Sequence, residues 1–347
     1  MSKSIADKKL WLISQTELET WLDGIANART LIAPRLVSGI ILYRQVAKSK
    51  EIAWHGKTSG LALVGRPLLS VKEIFFPPTE RMFTIQKTGQ EIYLEEKFPD
   101  WETVVFGVRP CDARGVKLLD ALFLDTNPVD TFYSRRRENT TLIGLACKEL
   151  GPTCFCTSVG GTPDDAHDMD IMLYEVEGGY LVEAVTEKGR FLIPGGEWNE
   201  TTASTKQLTF SGQFPVPEKG KWPDHFNDDY WMKISERCLS CRACAYVCPT
   251  CRCFAVRDEM LAAGEFERIR CWDSCAGENY RRVAGGHKPR AEKGERLRNR
   301  FFCKFYYYPE QYGLGAASAC TGCGRCIEVC PVGVDITEVL IGLEKSA

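Results

Sequence analysis

The sequence predicts an α/β domain over residues 1–228 and a mainly α-helical domain over residues 229–347. In the first half, short apolar runs of strand length alternate with turns and with stretches of helical spacing. Residues 193–229 are rich in Gly, Pro, Thr, Ser and charged residues, which is typical of a domain boundary or a long covering loop. The length of 347 residues also favours two domains, because single hydrophobic cores rarely grow beyond about 250–300 residues.

Composition narrows the class of protein further. The net charge of −2 gives no general reason to expect a nucleic acid or an anionic membrane as partner. We expect no secretory signal in the opening residues MSKSIADKKLWLIS and no membrane span, since no run approaches about 18 apolar residues. The 17 cysteines are an odd number, and pairing them as disulfides would require an oxidising compartment. These observations predict a cytoplasmic metalloprotein with reduced cysteines.

The first 100 residues predict mixed α/β structure. Helical spacing over 17–27 follows possible N-caps at Ser14 and Thr16. Strand-like segments and hairpin signals fix the remaining elements up to residue 185. The predicted strands are 40–46 and 51–55 around a Lys-Ser-Lys turn, 82–86 with 91–95 as a hairpin, and 170–176 with 180–185 as a second hairpin.

Two apolar runs predict buried parallel strands, TVVFGV at 103–108 and TLIGLA at 141–146. The turn after the first run contains Asp112, a natural N-cap for a helix over 113–124. If a right-handed crossover joins the two strands, their carboxyl ends lie on one edge of the sheet. That edge is where α/β sheets place ligands.

Four cysteines follow these two strands. Cys111 lies in the turn after the first strand, Cys147 directly follows the second, and Cys154 and Cys156 lie in the loop beyond. Four thiolates hold one [4Fe–4S] cluster, so the sequence predicts a cluster site at this edge. The alternative is that these thiols are small buried apolar residues, as free cysteines commonly are.

The last third of the chain contains the strongest motif. Residues 238–249 are CLSCRACAYVCP and residues 320–331 are CTGCGRCIEVCP. Each is Cys-x2-Cys-x2-Cys-x3-Cys-Pro, in which three cysteines ligate one [4Fe–4S] cluster and the fourth ligates the other. Zinc knuckles are the alternative, but zinc sites use two cysteine pairs. The predicted ligands are Cys238, Cys241, Cys244 and Cys330 for cluster 1, and Cys320, Cys323, Cys326 and Cys248 for cluster 2.

A long insert separates the two runs, unlike the compact bacterial ferredoxins. Segments 254–263 and 336–344 have helical patterns, the second with Asp335 as N-cap. These patterns predict a mainly α-helical, two-cluster ferredoxin-like domain in which each run opens onto a helix, with backbone N–H groups pointing toward an anionic cluster.

The insert contains further cysteines and a basic run. Cys251, Cys253, Cys271 and Cys275 are an alternative ligand set for the third cluster, and Cys303 has no assigned role. Between residues 281 and 304 the chain has nine Lys or Arg against two Glu. A solvated face is the usual interpretation of such a run. The functional alternative is that these cations offset anionic clusters or dock an acidic partner.

Several segments occur together in an order that resembles a known family. They are FGVRPCDARG (106–115), CKELGPTCFCTSVGGTP (147–163), CPTCRCF (248–254), RCWDSC (270–275) and CTGCGRCIEVCP (320–331). From about residue 70 onward the chain resembles the iron–sulfur β subunit of cytoplasmic sulfhydrogenases and the related iron–sulfur subunit of anaerobic sulfite reductases. The resemblance implies an electron-transfer subunit with three cubane clusters. It also implies companion subunits that carry a nickel–iron site and a flavin exchanging electrons with a nicotinamide dinucleotide.

The leading hypothesis is therefore an electron relay between a diaphorase subunit that carries a flavin and a catalytic subunit, hydrogenase-type or of a sulfite reductase or related complex. No residue of this chain is then required as acid, base or nucleophile. One alternative is catalysis at a cluster with an open iron, assisted by Asp112 or Arg109; another is a zinc-binding interaction module. No Gly-x-Gly-x-x-Gly follows a strand and opens a helix, so we expect the flavin on a partner.

Overall fold

A computed structural model describes residues 10–54, 66–98, 101–196, 198–201, 213–314 and 318–345. Within these ranges the strands are β1 Leu10–Ile13, β2 Thr30–Val37, β3 Ile40–Gln45, β4 Thr79–Thr88, β5 Glu91–Glu96, β6 Thr103–Val108, β7 Thr140–Leu145, β8 Ile171–Val176, β9 Gly179–Ala184, β10 Glu200–Thr201, β11 Phe254–Ala262 and β12 Glu265–Trp272. The α-helices are α1 Gln15–Ala28, α2 Lys72–Phe75, α3 Pro110–Phe123, α4 Thr131–Glu138, α5 Glu187–Arg190, α6 Tyr230–Ser235, α7 Ala243–Tyr246, α8 Lys293–Phe302, α9 Tyr308–Gln311, α10 Arg325–Glu328 and α11 Ile336–Lys345. A π-helical turn, Cys303–Tyr307, joins α8 to α9, and short 3-10 segments include Ser49–Glu51, Cys156–Val159 and Lys219–His225.

An eight-stranded mixed sheet forms the N-terminal part, in the order β10-β1-β9-β8-β7-β6-β2-β3. β6 pairs in parallel with both β2 and β7, and β7 pairs in parallel with β8. All six residues of β6 are buried because the sheet is covered on both faces. Val104 and Phe106 enter one core, whereas Val105 and Val108 enter the other. The predicted pair of buried parallel strands is therefore present.

Helices on the two faces cover this sheet. α1 begins after Ser14, whose hydroxyl accepts from the backbone of Glu17 in a capping box, as predicted. α3 begins earlier than predicted, with Arg109 at the N-cap and Pro110 in the first turn. The prediction that Asp112 caps this helix is wrong, because its carboxylate is buried and paired with a distant arginine.

A second sheet has the order β11-β12-β4-β5 and joins strands from both sides of the predicted domain boundary. The predicted helix over 254–263 is wrong: these residues form β11, which turns through Gly264 at φ +81° into β12. The predicted hairpin of β4 and β5 completes this sheet. The strand predicted over 51–55 is also wrong, since Ser49–Glu51 is a 3-10 turn; residue 55 lies outside the described residues.

The C-terminal part packs around an aromatic core. Trp222 stacks on Phe305 with ring centroids 5.0 Å apart, and α6, α8 and α11 contribute the neighbouring apolar side chains. Phe155 and Val159, from the loop after β7, are buried in this same core. A mainly helical C-terminal part is not confirmed, since it combines short helices with the long β11–β12 hairpin. The insertion of the 155–159 loop brings the N-terminal thiols beside the second cysteine run.

Candidate metal centres

The first thiol set is Cys238, Cys241, Cys244 and Cys330, and all four line a single cavity. Apolar side chains of Leu297, Val332 and Val334 complete much of its wall. Backbone N–H groups donate to two of the sulfurs, from Ser240 to Cys238 at 3.4 Å and from Val334 to Cys330 at 3.1 Å. The structure thus brings together the four cysteines that the two runs assign to cluster 1.

Arg300 of α8 tests whether this cavity suits an anionic cluster. Its side chain is buried and lines the cavity, and its Nε has no hydrogen-bond partner among the described residues. Burial raises the pKa of the nearby Cys244 thiol, and the guanidinium of Arg300 opposes that rise. A buried unsatisfied donor is costly unless an anionic acceptor is present. The four thiols and the orphan donor therefore fit an iron–sulfur cluster.

The second thiol set is Cys248, Cys320, Cys323 and Cys326, whose charges influence one another. Burial raises the pKa of Cys320 to about 11 and that of Cys326 to about 12. Backbone N–H of Gly322 lies 3.5 Å from the Cys320 sulfur. These buried thiols also match the ligands predicted from the two runs.

Lys304 lies directly against the second set. Its buried ammonium is 3.0 Å from the Cys248 sulfur, 3.6 Å from the Cys251 sulfur and 3.0 Å from the Thr250 hydroxyl. A hydrogen bond from Cys251, together with the Lys304 charge, lowers the pKa of Cys248 well below its ordinary value. The cation thus stabilises the thiolate form of Cys248. Among the interpretations of the basic run, Arg300 and Lys304 fit the one in which cations offset anionic clusters.

The third thiol set is Cys111, Cys147, Cys154 and Cys156, and it converges at the carboxyl edge of β6 and β7. Burial, followed by neighbouring anionic groups, raises the pKa of Cys111 and of Cys147, and raises that of Cys156 to about 12. Neighbouring charges connect Cys111 with Cys147, and Cys147 with Cys154 and Cys156. The parallel strands therefore position these thiols as the edge argument predicts.

The second and third sets are in direct contact. The Cys154 thiol points to the Cys323 carbonyl at 3.8 Å, and the backbone N–H of Phe155 donates to the Gly322 carbonyl at 2.8 Å. Gly324 has φ +75°, and a Cβ there would lie 2.3 Å from the Thr153 carbonyl oxygen. The tight approach of these two loops needs glycine at this position.

Two buried arginines beside this contact were not predicted. Arg325 is fully buried and donates to Asp112 at 2.7 Å and to the Pro67 carbonyl at 3.0 Å. Arg66 pairs with Glu328, and its Nη1 has no hydrogen-bond partner among the described residues. The charges of Cys111, Cys154 and Cys323 surround Arg66, so its orphan donor fits an anionic cluster at the third set. Only the position of Arg325 inside the second run gave a sequence signal.

The insert cysteines do not form one group of four. Cys251 hydrogen-bonds to Cys248, whereas Cys253 and Cys275 hydrogen-bond to each other. Cys271 lies in β12, opposite Ala255 of β11 and Thr79 of β4. In the described ranges, no three His, Cys, Asp or Glu side chains are arranged to hold a single metal ion. Those ranges also contain no helix long and apolar enough to cross a membrane.

Comparison with known proteins agrees with the cysteine runs. Residues 237–334 match the family described as 4Fe-4S dicluster domain. Over 294 residues the chain is 36% identical to sulfhydrogenase 2 subunit beta of Pyrococcus furiosus, which covers 79% of this chain and 83% of that protein. No solved structure matches the chain.

Proposed function

The chain belongs to the family of sulfhydrogenase β subunits, and from this we propose that it relays electrons between a diaphorase subunit that carries a flavin and a hydrogenase-type catalytic subunit. It is an iron–sulfur electron-transfer subunit with a [4Fe–4S] dicluster domain. Bound clusters supply one-electron carriers whose potentials depend on hydrogen bonds, charge and exposure. The residues of this chain fix the spacing and surroundings of those carriers.

We propose the first and second thiol sets as ligands of the two dicluster centres, and the third set as ligands of a third [4Fe–4S] cluster. The observation that carries the relay is that the three sets form one continuous file. Arg300 is influenced by Cys244 of the first set and Cys326 of the second. Cys154 of the third set contacts the backbone of Cys323 in the second. Electron tunnelling requires this kind of close succession, whereas separate structural metal sites do not.

The proposed domains are residues 1–228 and 229–347, which meet at the contact between the second and third thiol sets and share the second sheet. We assign the flavin to a partner subunit, because the chain has no dinucleotide fingerprint. Binding of stoichiometric flavin to the isolated chain would contradict this assignment.

Iron and acid-labile sulfide counts test the third centre. We expect Cys111→Ser to lose about four irons and four sulfides per chain relative to the unaltered protein. The matched control is Cys271→Ser, which changes a cysteine in β12 outside the three sets. An unchanged iron count in Cys111→Ser would show that the N-terminal cysteines serve packing.

The relay itself is tested by low-temperature electron paramagnetic resonance of the assembled complex. We expect a reduced nicotinamide dinucleotide to reduce the clusters of this chain only when the diaphorase subunit is present, and dithionite to reduce them in the isolated chain. Reduction of the isolated chain by the nicotinamide would contradict the division of labour. Clusters that stay oxidised in a complex turning over between both substrates would contradict the relay.

A further inference from the structure

Three cysteines of the insert lie outside the three thiol sets. Cys253 immediately precedes β11, Cys275 follows β12, and Cys303 begins the π-helical turn after α8. They come from segments that are 22 and 28 residues apart in sequence, so only the fold brings them together. No motif with a fixed spacing connects them.

The antiparallel pairing of β11 and β12 brings Cys253 beside Cys275. Phe254 is in register with Trp272, and the backbone N–H of Asp273 donates to the Cys253 carbonyl at 2.8 Å. Two residues further on, Cys275 is buried. Its thiol donates a hydrogen bond to the Cys253 sulfur.

The end of α8 supplies the third thiol. Asn299 hydrogen-bonds to the Cys275 sulfur, and Cys303 follows Asn299 by four residues on the same face of the helix. The charge of Cys303 accordingly acts on Cys275. Cys303 also starts the π-helical turn, a local irregularity that is frequent at functional sites.

Donors and a buried cation surround these sulfurs. The Tyr280 hydroxyl donates to Cys253. The guanidinium carbon of Arg252 lies 3.7 Å from the Tyr308 ring centroid. Burial opposes the charge of Arg252, but the thiolates of Cys303 and Cys253 raise its pKa. An anionic group bound at the three thiols is thus stabilised by the cation and the hydroxyl.

We propose that Cys253, Cys275 and Cys303 hold a fourth [4Fe–4S] cluster through three thiolates. A cubane suits this set better than zinc does, because one zinc ion needs its thiolates about 2.3 Å from a single point. Among the described residues no such single-ion group occurs. A cubane instead binds each thiolate to a different iron. The site goes beyond the three centres of the relay proposed above.

The test uses the full chain, purified and reconstituted anaerobically, with iron, acid-labile sulfide and zinc counted per chain. We expect Cys253→Ala with Cys275→Ala to remove about four irons and four sulfides, while the Cys271→Ala control removes none. Cys303→Ala lies on a different element, and we expect it to remove the same amount. Circular dichroism and the resonance signals of the remaining clusters establish that each variant is folded.

An unchanged iron content in folded variants would overturn the proposal, and loss of about one zinc in place of four irons would overturn the cubane assignment. About twelve irons in the unaltered chain, about four of which depend on Cys111, would also overturn it, because none would remain for this site. Reduction of the complex by the nicotinamide is a separate readout, so the relay and the fourth site fail independently.

Discussion

Replacing Lys304 by methionine should lower the reduction potential of the centre at the second thiol set. Methionine keeps an unbranched chain of similar length and removes the charge that lies 3.0 Å from the Cys248 sulfur. Reduction adds one negative charge, so a nearby cation stabilises the reduced state and raises the potential. Removing the cation therefore has the opposite effect.

The size of the shift follows from Coulomb's law. An added electron spread over the centre, about 5 Å from the ammonium, gains about 3 kcal/mol at an effective dielectric constant of about 20. For a one-electron couple this corresponds to a shift on the order of 100 mV, since a tenfold change in equilibrium is 59 mV. Burial of Lys304 limits screening by salt, so added salt should change the shift little.

The assay is a redox titration followed by electron paramagnetic resonance on the anaerobic protein. Lys288→Met is the matched control, because Lys288 belongs to the same basic run but pairs with Glu278 at 2.5 Å. We expect the control to leave the potential of the second centre unchanged. A shift below about 20 mV in Lys304→Met, with iron content unchanged, would refute the electrostatic role of this lysine.

Two further predictions concern the contact between the second and third thiol sets. Arg325→Met leaves the Asp112 carboxylate buried without its partner and should destabilise the fold by about 3–5 kcal/mol in anaerobic guanidinium unfolding, whereas the double variant with Asp112→Asn should recover part of that loss. Equal losses in the single and double variants would mean that the pair is not coupled. Gly324→Ala should cost clearly more than the roughly 1 kcal/mol expected for the control Gly333→Ala, because both glycines have positive φ but only Gly324 meets a neighbouring loop. Equal midpoints for the two alanine variants would contradict a tight approach of the loops.

Local patterns were sufficient wherever the decisive contacts are local. The apolar run of β6 predicted a buried strand because both of its faces are covered, and the edge argument then placed Cys111 near Cys147. Distant partners decided the failures. Residues 254–262 fit a helical pattern, but β12 also pairs with β4, more than 180 residues away in sequence. Asp112 resembled an N-cap because its partner, Arg325, is 213 residues away.

The buried cations of the C-terminal part connect the fold to its cofactors. Arg325 and Arg66 are paired with carboxylates, whereas the polar contacts of the Lys304 ammonium are two cysteine sulfurs and one hydroxyl. Arg300 has an Nε without a partner among the described residues. A buried cation without a counter-ion destabilises the folded state, so Lys304 and Arg300 depend on the anionic charge of the first and second centres. Cluster loading and folding are therefore linked, because a group that binds only the folded chain stabilises it. The same two cations hold the centres at potentials above those of uncompensated thiolate clusters, so stability of the fold and tuning of the relay rest on the same residues.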